Sequence, residues 1–479
     1  MRIALFVLVL VLMATDVDAK QRSRPNIMVI LCDDLGYGDI GCFGNKTIKT
    51  PNLDKLASQG MRLTACYSAS PLCSPARAGL LTGRTPSRVG VYSWIAGNHV
   101  MHMPKTEITI AHLLKKAGYQ TMHSGKWHCN GKFNRPEQPQ PNDHGFDYWF
   151  GTQNNAAPTH RNPRNFVRNG NNAGQLKGFS CQIVADEASD WIKNKRDKSR
   201  PFFTYVCFHE PHEPIDSPGD LVAMYPEAKK KGEALYYANV SNMDRAVGSL
   251  MKMLDDEKLT DNTFVIFTSD NGPETLNRYG NAWRSHGVPG PLRGMKLWMY
   301  EGGIRVPGII RFPGHTKPGQ VNDTPVCSVD LLPTFCELAG AEVPKDRKLD
   351  GASIMPIFKG QKPNRTTPLY WHYFSAIGQP KTTMRIDDWV ILGIRNGPDR
   401  QGGPSLGPDD MKIIKESKLV AFELYNLHGD LAQKHNLAEK QPDRLKAMAE
   451  KLIAKHREVT TEGPDWDVKP RAKKKPKGK

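Results

Sequence analysis

No stretch of this 479-residue sequence supplies the roughly 18 consecutive apolar residues that a membrane-spanning helix needs, so no integral membrane segment is expected. Internal repeats are missing too, and low complexity is confined to the C-terminal end, which argues against a solenoid or an array. The nine cysteines (Cys32, Cys42, Cys66, Cys73, Cys129, Cys181, Cys207, Cys327 and Cys336) form no zinc-type spacing. "HEPH" (209–212) is not a helical zinc motif either, because Pro211 would break the helix that such spacing needs. An odd count leaves at least one thiol outside any set of intramolecular disulfides. Acidic residues are in the minority, 49 against 66 Lys plus Arg, a formal charge of +17. With no recognisable nucleic-acid-binding module, that excess points to a polyanionic substrate or matrix rather than to nucleic acid.

The first residues, "MRIALFVLVLVLMATDVDAK", carry a positive charge, an apolar run from Ile3 to Met13 and the small residues Val17 and Ala19 where a signal peptidase reads. This predicts a signal peptide over 1–19 and export to a secreted, periplasmic or lysosome-like compartment. The length favours one large domain plus a smaller one. Around "FKGQKPNRTTP" (358–368) the composition shifts, placing a catalytic domain over 20–360, a small C-terminal antiparallel-sheet domain over 361–465 and a basic, disordered tail over 466–479. Sequons stand at Asn45, Asn239, Asn322 and Asn364, usable only in a host that glycosylates exported proteins.

"NIMVILC" (26–32), "PFFTYVCF" (201–208) and "TFVIFTS" (263–269) are continuous apolar runs that read as strands buried on both faces. Helical patterns separate them: "TPNLDKLASQG" with Thr50 as cap and Gly60 as stop, "ITIAHLLKKAGY", "QIVADEASDWIKNK", about 233–259, and "SVDLLPTFCELAG". "QTMHSG" and "GIIRF" read as further strands, "LYWHYF" and "WVILGI" as strands of the small domain, and 444–456 as its helix. Alternating strands and helices predict an α/β fold: a large, mostly parallel sheet flanked by helices, with a small C-terminal α+β domain.

In such sheets ligands bind beyond the carboxyl ends of the strands. Asp33 and Asp34 follow the first run, Asp270 and Asn271 the third, and His209, Glu210 and His212 the second. Four oxygen donors suit a hard divalent cation, calcium or magnesium. Taken singly each pair has a plainer reading, since "DNG" is a turn signal and Asp-Asp can cap or turn a chain. In "PLCSPARAGLLTGR" (71–84), Ser74 can cap and Pro75 start a helix that ends at Gly83, so Cys73 stands just ahead of an anion-attracting helix N-terminus with Arg77 on the same side. Nucleophilic catalysis by Cys73 is one reading of that stretch; it wants a base histidine nearby.

The chain resembles the type I, formylglycine-dependent sulfatases: "CSPARAGLLTGR" carries their C-x-P-x-R…T-G-R signature, and "PNIMVILCDDLGYGD", "GKWH", "TSDNG" and "PLRGMKLWMYEGGIRVP" follow in the family's order. The likeness extends over Pro25 to Ala438 and looks closest to the galactosamine-6-sulfatase and arylsulfatase A group. It implies an alkaline-phosphatase-like fold and an enzyme acting on sulfated carbohydrate. It implies that a formylglycine-generating or other sulfatase-maturing enzyme oxidises Cys73 to formylglycine, whose hydrate offers one hydroxyl to attack sulfur and a second to release sulfate. It also implies one calcium ion held by Asp33, Asp34, Asp270, Asn271 and the modified Cys73. Arg77 would hold the diol and Lys126 and Lys296 the sulfate oxygens. His128 and His212 would serve as base or acid, with His212 and Lys296 protonating the leaving alcohol. Leu297, Trp298 and Met299 replace the small or hydroxyl residues usual after the second lysine, so a reshaped leaving-group pocket is expected. "GKWHCN" puts Cys129 beside the motif where the family commonly has "GKWHLG". Two rival readings stand beside this one: a phosphonate or phosphodiester hydrolase of the same superfamily, and a non-catalytic sulfated-glycan binding protein with Cys73 unconverted.

Overall fold

The computed structural model describes residues 24–403 and 405–469, so the expected signal peptide and the basic tail after Lys469 lie outside the described residues. Among the described residues no helix is long and apolar enough to cross a membrane.

Ten strands form one sheet in the edge-to-edge order Gln320–Asn322, Met61–Leu63, Gly308–Arg311, Thr263–Ser269, Asn26–Asp33, Phe202–Pro211, Gln120–Lys126, Tyr148–Thr152, Val167–Arg168 and Asn171–Asn172. The central strand Asn26–Asp33 is parallel to both neighbours, with Cys32 opposite Ser269 and Leu31 opposite Cys207. Gln120–Lys126 and Tyr148–Thr152 extend the parallel set, while Gly308–Arg311 runs antiparallel to both its neighbours, which makes the sheet mixed. The apolar runs are continuous because both faces are covered. Ile27, Val29 and Leu31 enter one core with the helices Cys73–Thr82 and Leu331–Ala339; Met28, Ile30 and Cys32 enter the other with Ser180–Asp190 and Glu233–Asp256. Ile30, fully buried between Phe267 and Val206, makes the point testable: truncation to Ala would cost roughly 2–5 kcal/mol.

The helices fall where the sequence pattern puts them, Pro51–Gln59, Ile110–Lys116 and Glu233–Asp256 among them. One start differs. The helix expected to open after Cys73 runs Cys73–Thr82, with Leu72 in the cap position, so Cys73 is its first residue. Ser74 does not cap; its hydroxyl accepts from the Ile95 N–H instead, a long-range bond that no local pattern reveals. Gly83 ends the helix in the left-handed conformation as expected.

Four antiparallel strands, Leu369–His372, Pro380–Ile386, Trp389–Arg395 and Leu419–Asn426, make a second sheet. One face packs Met384, Ile391 and Leu424 against Leu452 of the helix Pro442–Glu462. The other sends Trp371, Val390 and Leu392 into the core of the large sheet. An ionic cluster closes the join, with Asp350 accepting from Arg88 at 2.9 Å and from Lys455 at 2.6 Å. All nine cysteines are free thiols. The sequon at Asn239 is closed to glycosylation in the folded chain, because its side chain is fully buried against His160 and the Asp216 carbonyl.

Candidate active site

The register of the three central strands brings their carboxyl ends together, and with them the acidic pairs. Asp33, Asp34, Asp270 and Asn271 are all buried. The Asp34 N–H points at Asp270 Oδ1 (3.3 Å) and the Asn271 amide donates to Asp34 Oδ1 (2.7 Å). Three cations face the three carboxylates. Lys126 Nζ lies 2.5 Å from Asp33, Lys296 Nζ 2.7 Å from Asp34, and Arg77 donates Nε and Nη2 to Asp270 at 3.0 and 2.7 Å. Arg77 also donates to the Lys126 carbonyl (2.9 Å), which ties the Cys73 helix to the Lys126 strand. Gly125 makes that strand end possible: its φ is +105°, and a Cβ there would meet the Cys207 carbonyl at 1.9 Å. Three non-glycine residues of the site, Asp34, His128 and Leu297, also hold positive φ, a concentration of backbone strain typical of functional sites.

Cys73 lies 3% exposed at the floor of a pocket of about 400 Å3, whose walls include His128, His212, Lys296 and Leu297. One ligand atom each from Asp33, Asp34, Cys73 and His212 lies within 4.8 Å of the others. Asp33 Oδ1 and Asn271 Oδ1 are buried without a hydrogen-bond partner, so two hard oxygen donors are free to face a cation. The residues present therefore fit a divalent ion of the calcium or magnesium kind.

Electrostatics separate the groups by role. Burial pushes the Cys73 thiol up to about 12, against the pull of Lys126 and Lys296. Burial also raises Asp270, to about 7, with the Asp33 charge adding and Arg77 opposing. Asp33 feels the same burial, but the charges of Lys126, Arg77 and Lys296 together hold it well below the usual carboxylate range. Burial lowers His128, helped by Lys126, and brings His212 to about 3, helped by Lys296, so both rings are neutral. His128 Nε2 is 3.2 Å from the Ile95 carbonyl, which assigns its proton there and leaves Nδ1 bare and unpartnered. His212 Nδ1 donates to the Glu213 carbonyl (2.5 Å) and turns Nε2 toward Asp34 (3.5 Å). Lys296 is a firm cation: burial opposes its charge, but Asp34 and other neighbours raise it well above its ordinary value.

All ten residues singled out in the sequence thus lie at the ends of the central strands or in the elements packed on them. His209 and Glu210 do not join the pocket: His209 Nε2 pairs with Thr152 (2.8 Å) and Glu210 accepts from the Cys181 N–H. Of the three bulky residues after Lys296, Leu297 lines the pocket, Met299 is fully buried and Trp298 packs over Gly294. Cys129 is buried in the core rather than in the pocket wall. Sequence reasoning passed over Trp94, Glu274 and Arg278, which reach the site from outside the recognised motifs.

A mixed α/β sheet with acidic strand ends, a buried cation set and a pocket over a helix N-terminus defines a hydrolase of the alkaline-phosphatase-like class. A sulfatase family model matches residues 25–341, and a model described as N-sulphoglucosamine sulphohydrolase, C-terminal, matches 295–388. The chain is 36% identical over 377 residues to the N-acetylgalactosamine-6-sulfatase of Canis lupus familiaris, covering 74% of this chain and 70% of that protein. It is 31% identical over 441 residues to the steryl-sulfatase of Homo sapiens, covering 75% and 74%. Among solved structures it is similar to PsFucS1 sulfatase from Pseudoalteromonas sp. (TM-score 0.76, 26% identity, 95% of this chain and 94% of that one). Ps i-CgsB in complex with k-i-k-neocarrahexaose matches as well (TM-score 0.76, 28% identity, 92% and 94%). The chain belongs to the sulfatase family, and its activity is hydrolysis of sulfuric esters.

Proposed function

We propose that this protein is an exported sulfatase acting on sulfate esters of sugars, through formylglycine made from Cys73 by a dedicated maturing enzyme and with one calcium ion. The observation that carries the reading is the state of Cys73. A thiol pushed up to about 12 is protonated at neutral pH and is a poor nucleophile, yet it stands at the floor of the pocket at a helix N-terminus, beside two lysines. Oxidation to the aldehyde replaces that inert thiol with a hydrate bearing two hydroxyls on one carbon. Calcium, held by Asp33, Asp34, Asp270, Asn271 and the modified Cys73, would lower the pKa of a bound hydroxyl and polarise a sulfate oxygen.

The chain's own residues do the rest. Arg77 fixes Asp270 and the Lys126 backbone behind the converted residue, and Lys126 and Lys296 supply positive charge for sulfate oxygens. His128, with Nδ1 bare, is placed to take a proton in the pocket. Lys296, a cation facing the same space, is placed to give one to the departing alcohol, and His212 can share that role once its bare Nε2 has taken up a proton. Carboxylates and cations balance in the protein alone, so an added divalent ion leaves the site positive and suited to a sulfate monoanion. Sugar substrates are favoured by the N-acetylgalactosamine-6-sulfatase relative, the carrageenan-derived oligosaccharide in the Ps i-CgsB structure and the basic balance of this chain.

Trypsin supplies the test. Cleavage after Arg62 and Arg77 releases "LTACYSASPLCSPAR", which contains Cys66 as an internal control. Active protein from a host with the maturing enzyme is expected to yield this peptide lighter by the exchange of a thiol-bearing carbon for an aldehyde, with fragmentation placing the change at Cys73. A quantitatively free thiol at Cys73 in active enzyme would refute the mechanism, and faster turnover of an aryl phosphodiester than of an aryl sulfate would refute the substrate class. Polymer binding without sulfate release would leave only a glycan-binding protein.

A further inference from the structure

The pocket above Cys73 has two unlike kinds of lining. Leu72, Trp94 and Leu297 are apolar, with Trp94 partly exposed and Leu297 held at a φ of +74°. Arg278 lines the same pocket, about a quarter exposed, its guanidinium 5.1 Å from the centre of the Tyr279 ring. Glu274 grips Arg278 through Nε and Nη2, both at 2.7 Å, and the same carboxylate lies 3.7 Å from Lys296 Nζ. A two-point grip of this kind sets the plane of the guanidinium and leaves Nη1 for a ligand. In the same pocket the side-chain oxygens of Asn154 and Asn155 are buried without hydrogen-bond partners. Nothing in sulfate cleavage at Cys73 uses these groups.

We propose that Arg278 is a specificity-determining residue, holding a second anionic group on a sugar whose apolar ring face stacks on Trp94 and Leu297. The proposal rests on the sulfatase reading above and narrows its substrate class to sugar sulfates that carry another anion. A flat, amphipathic ring is what a lining of one aromatic ring, an aliphatic side chain and unpartnered amides would accept, with Asn154 and Asn155 meeting its hydroxyls. The anion has two chemical sources, a second sulfate on the same sugar or the carboxylate of a linked uronic acid. Both accept from a guanidinium, and Glu274 keeps Arg278 aimed whether or not substrate is present. A monosulfated neutral sugar leaves Arg278 unanswered in the pocket, and that is where discrimination arises.

Binding to the full chain with Cys73→Ala, measured by titration calorimetry in calcium, reads this without turnover. Three probes are compared: a monosulfated N-acetylhexosamine, the same sugar with a second sulfate, and the monosulfated sugar linked to a uronic acid. One charge-assisted contact is expected to tighten a second-anion probe by roughly 10- to 100-fold over the monosulfated one. The probe that gains identifies the source of the anion. Arg278→Gln is expected to erase the gain; should that variant fail to fold, Arg278→Lys, which keeps the charge but loses the fork, is expected to shrink it. Equal affinities for all three probes with Arg278 intact overturn the proposal, as does a gain that survives whole in a folded Arg278 variant. Neither result touches the sulfatase reading, which the Cys73 peptide decides.

Discussion

Replacing Arg77 with Met keeps the side chain's length and removes its charge, at a position with no exposure at all. Three hydrogen bonds go with it: two to the Asp270 carboxylate and one to the Lys126 carbonyl. Removing one partner of a buried ion pair costs about 3–5 kcal/mol, a large part of the 5–15 kcal/mol that holds a typical protein folded. The pH dependence is the sharper test. With Arg77 present Asp270 already sits at about 7, far above its unfolded value; without Arg77 it rises further. A carboxyl raised in the folded state holds its proton there while the unfolded chain releases it, so its contribution falls as pH rises. Between about pH 7 and the variant's new value, the variant therefore loses stability relative to wild type by up to about 1.4 kcal/mol per pH unit. Below pH 6 both proteins carry a protonated Asp270 and the gap narrows to the lost hydrogen bonds. Urea unfolding with EDTA at pH 6, 7 and 8, followed by tryptophan fluorescence, measures this directly. A deficit under about 1 kcal/mol, or one that shrinks as pH rises, would refute the view that Arg77 is spent on Asp270.

Lys296→Met should lower turnover of sugar sulfates by a further ~10²–10⁴-fold beyond any loss shared with 4-nitrophenyl sulfate, because a nitrophenolate departs without a proton; equal losses on both would remove the acid role. Calcium at 100 times its dissociation constant should stabilise the wild type by about 2.7 kcal/mol, and Asp33→Ala should lose both that gain and turnover, so a melting temperature indifferent to calcium and to EDTA would sink the metal assignment. Trp371→Phe removes the 2.6 Å bond from the indole N–H to the Ser68 carbonyl and should cost about 1–3 kcal/mol, visible as an earlier thermal transition; an unchanged melt would mean water replaces the donor.

Much of the site was legible because its residues sit next to strong local signals. Asp33 and Asp270 directly follow apolar runs that can only be buried strands, and Cys73 precedes a proline and a small-residue run that can only open a helix. Lys126, His128 and Lys296 were placed by family likeness alone; no periodicity distinguishes them from surface residues. Arg278 and Glu274 left no trace, since their value comes from a fold-back that sets them beside Lys296, more than a turn of chain away. The same holds for Ser74, whose expected capping bond is diverted to Ile95. In the small sheet, "LYWHYF" and "WVILGI" were readable, while Leu419–Asn426 was not: its first half is largely exposed and breaks the apolar pattern. The Asn239 sequon shows the limit of three-residue patterns, which say nothing of burial.

The pocket wall does not come from one part of the chain. Cys73, His128, His212 and Lys296 belong to the large sheet's periphery, but Gly402 and Gly403 enter from the connection between the last two strands of the small sheet. Part of the wall that meets the alcohol is therefore built by the small sheet, while Trp94 and Arg278 belong to the same domain as the groups that cleave the ester. Leu406 and Ile414 of the same connection are buried in the core, so change that would reach the pocket without disturbing the fold is confined to the short approach at Gln401 to Gly403. The freedom has a boundary, because Trp371 binds the carbonyl of Ser68, whose own hydroxyl donates to the Asp270 carbonyl. A connecting segment can drift, but the sheet that carries it must stay.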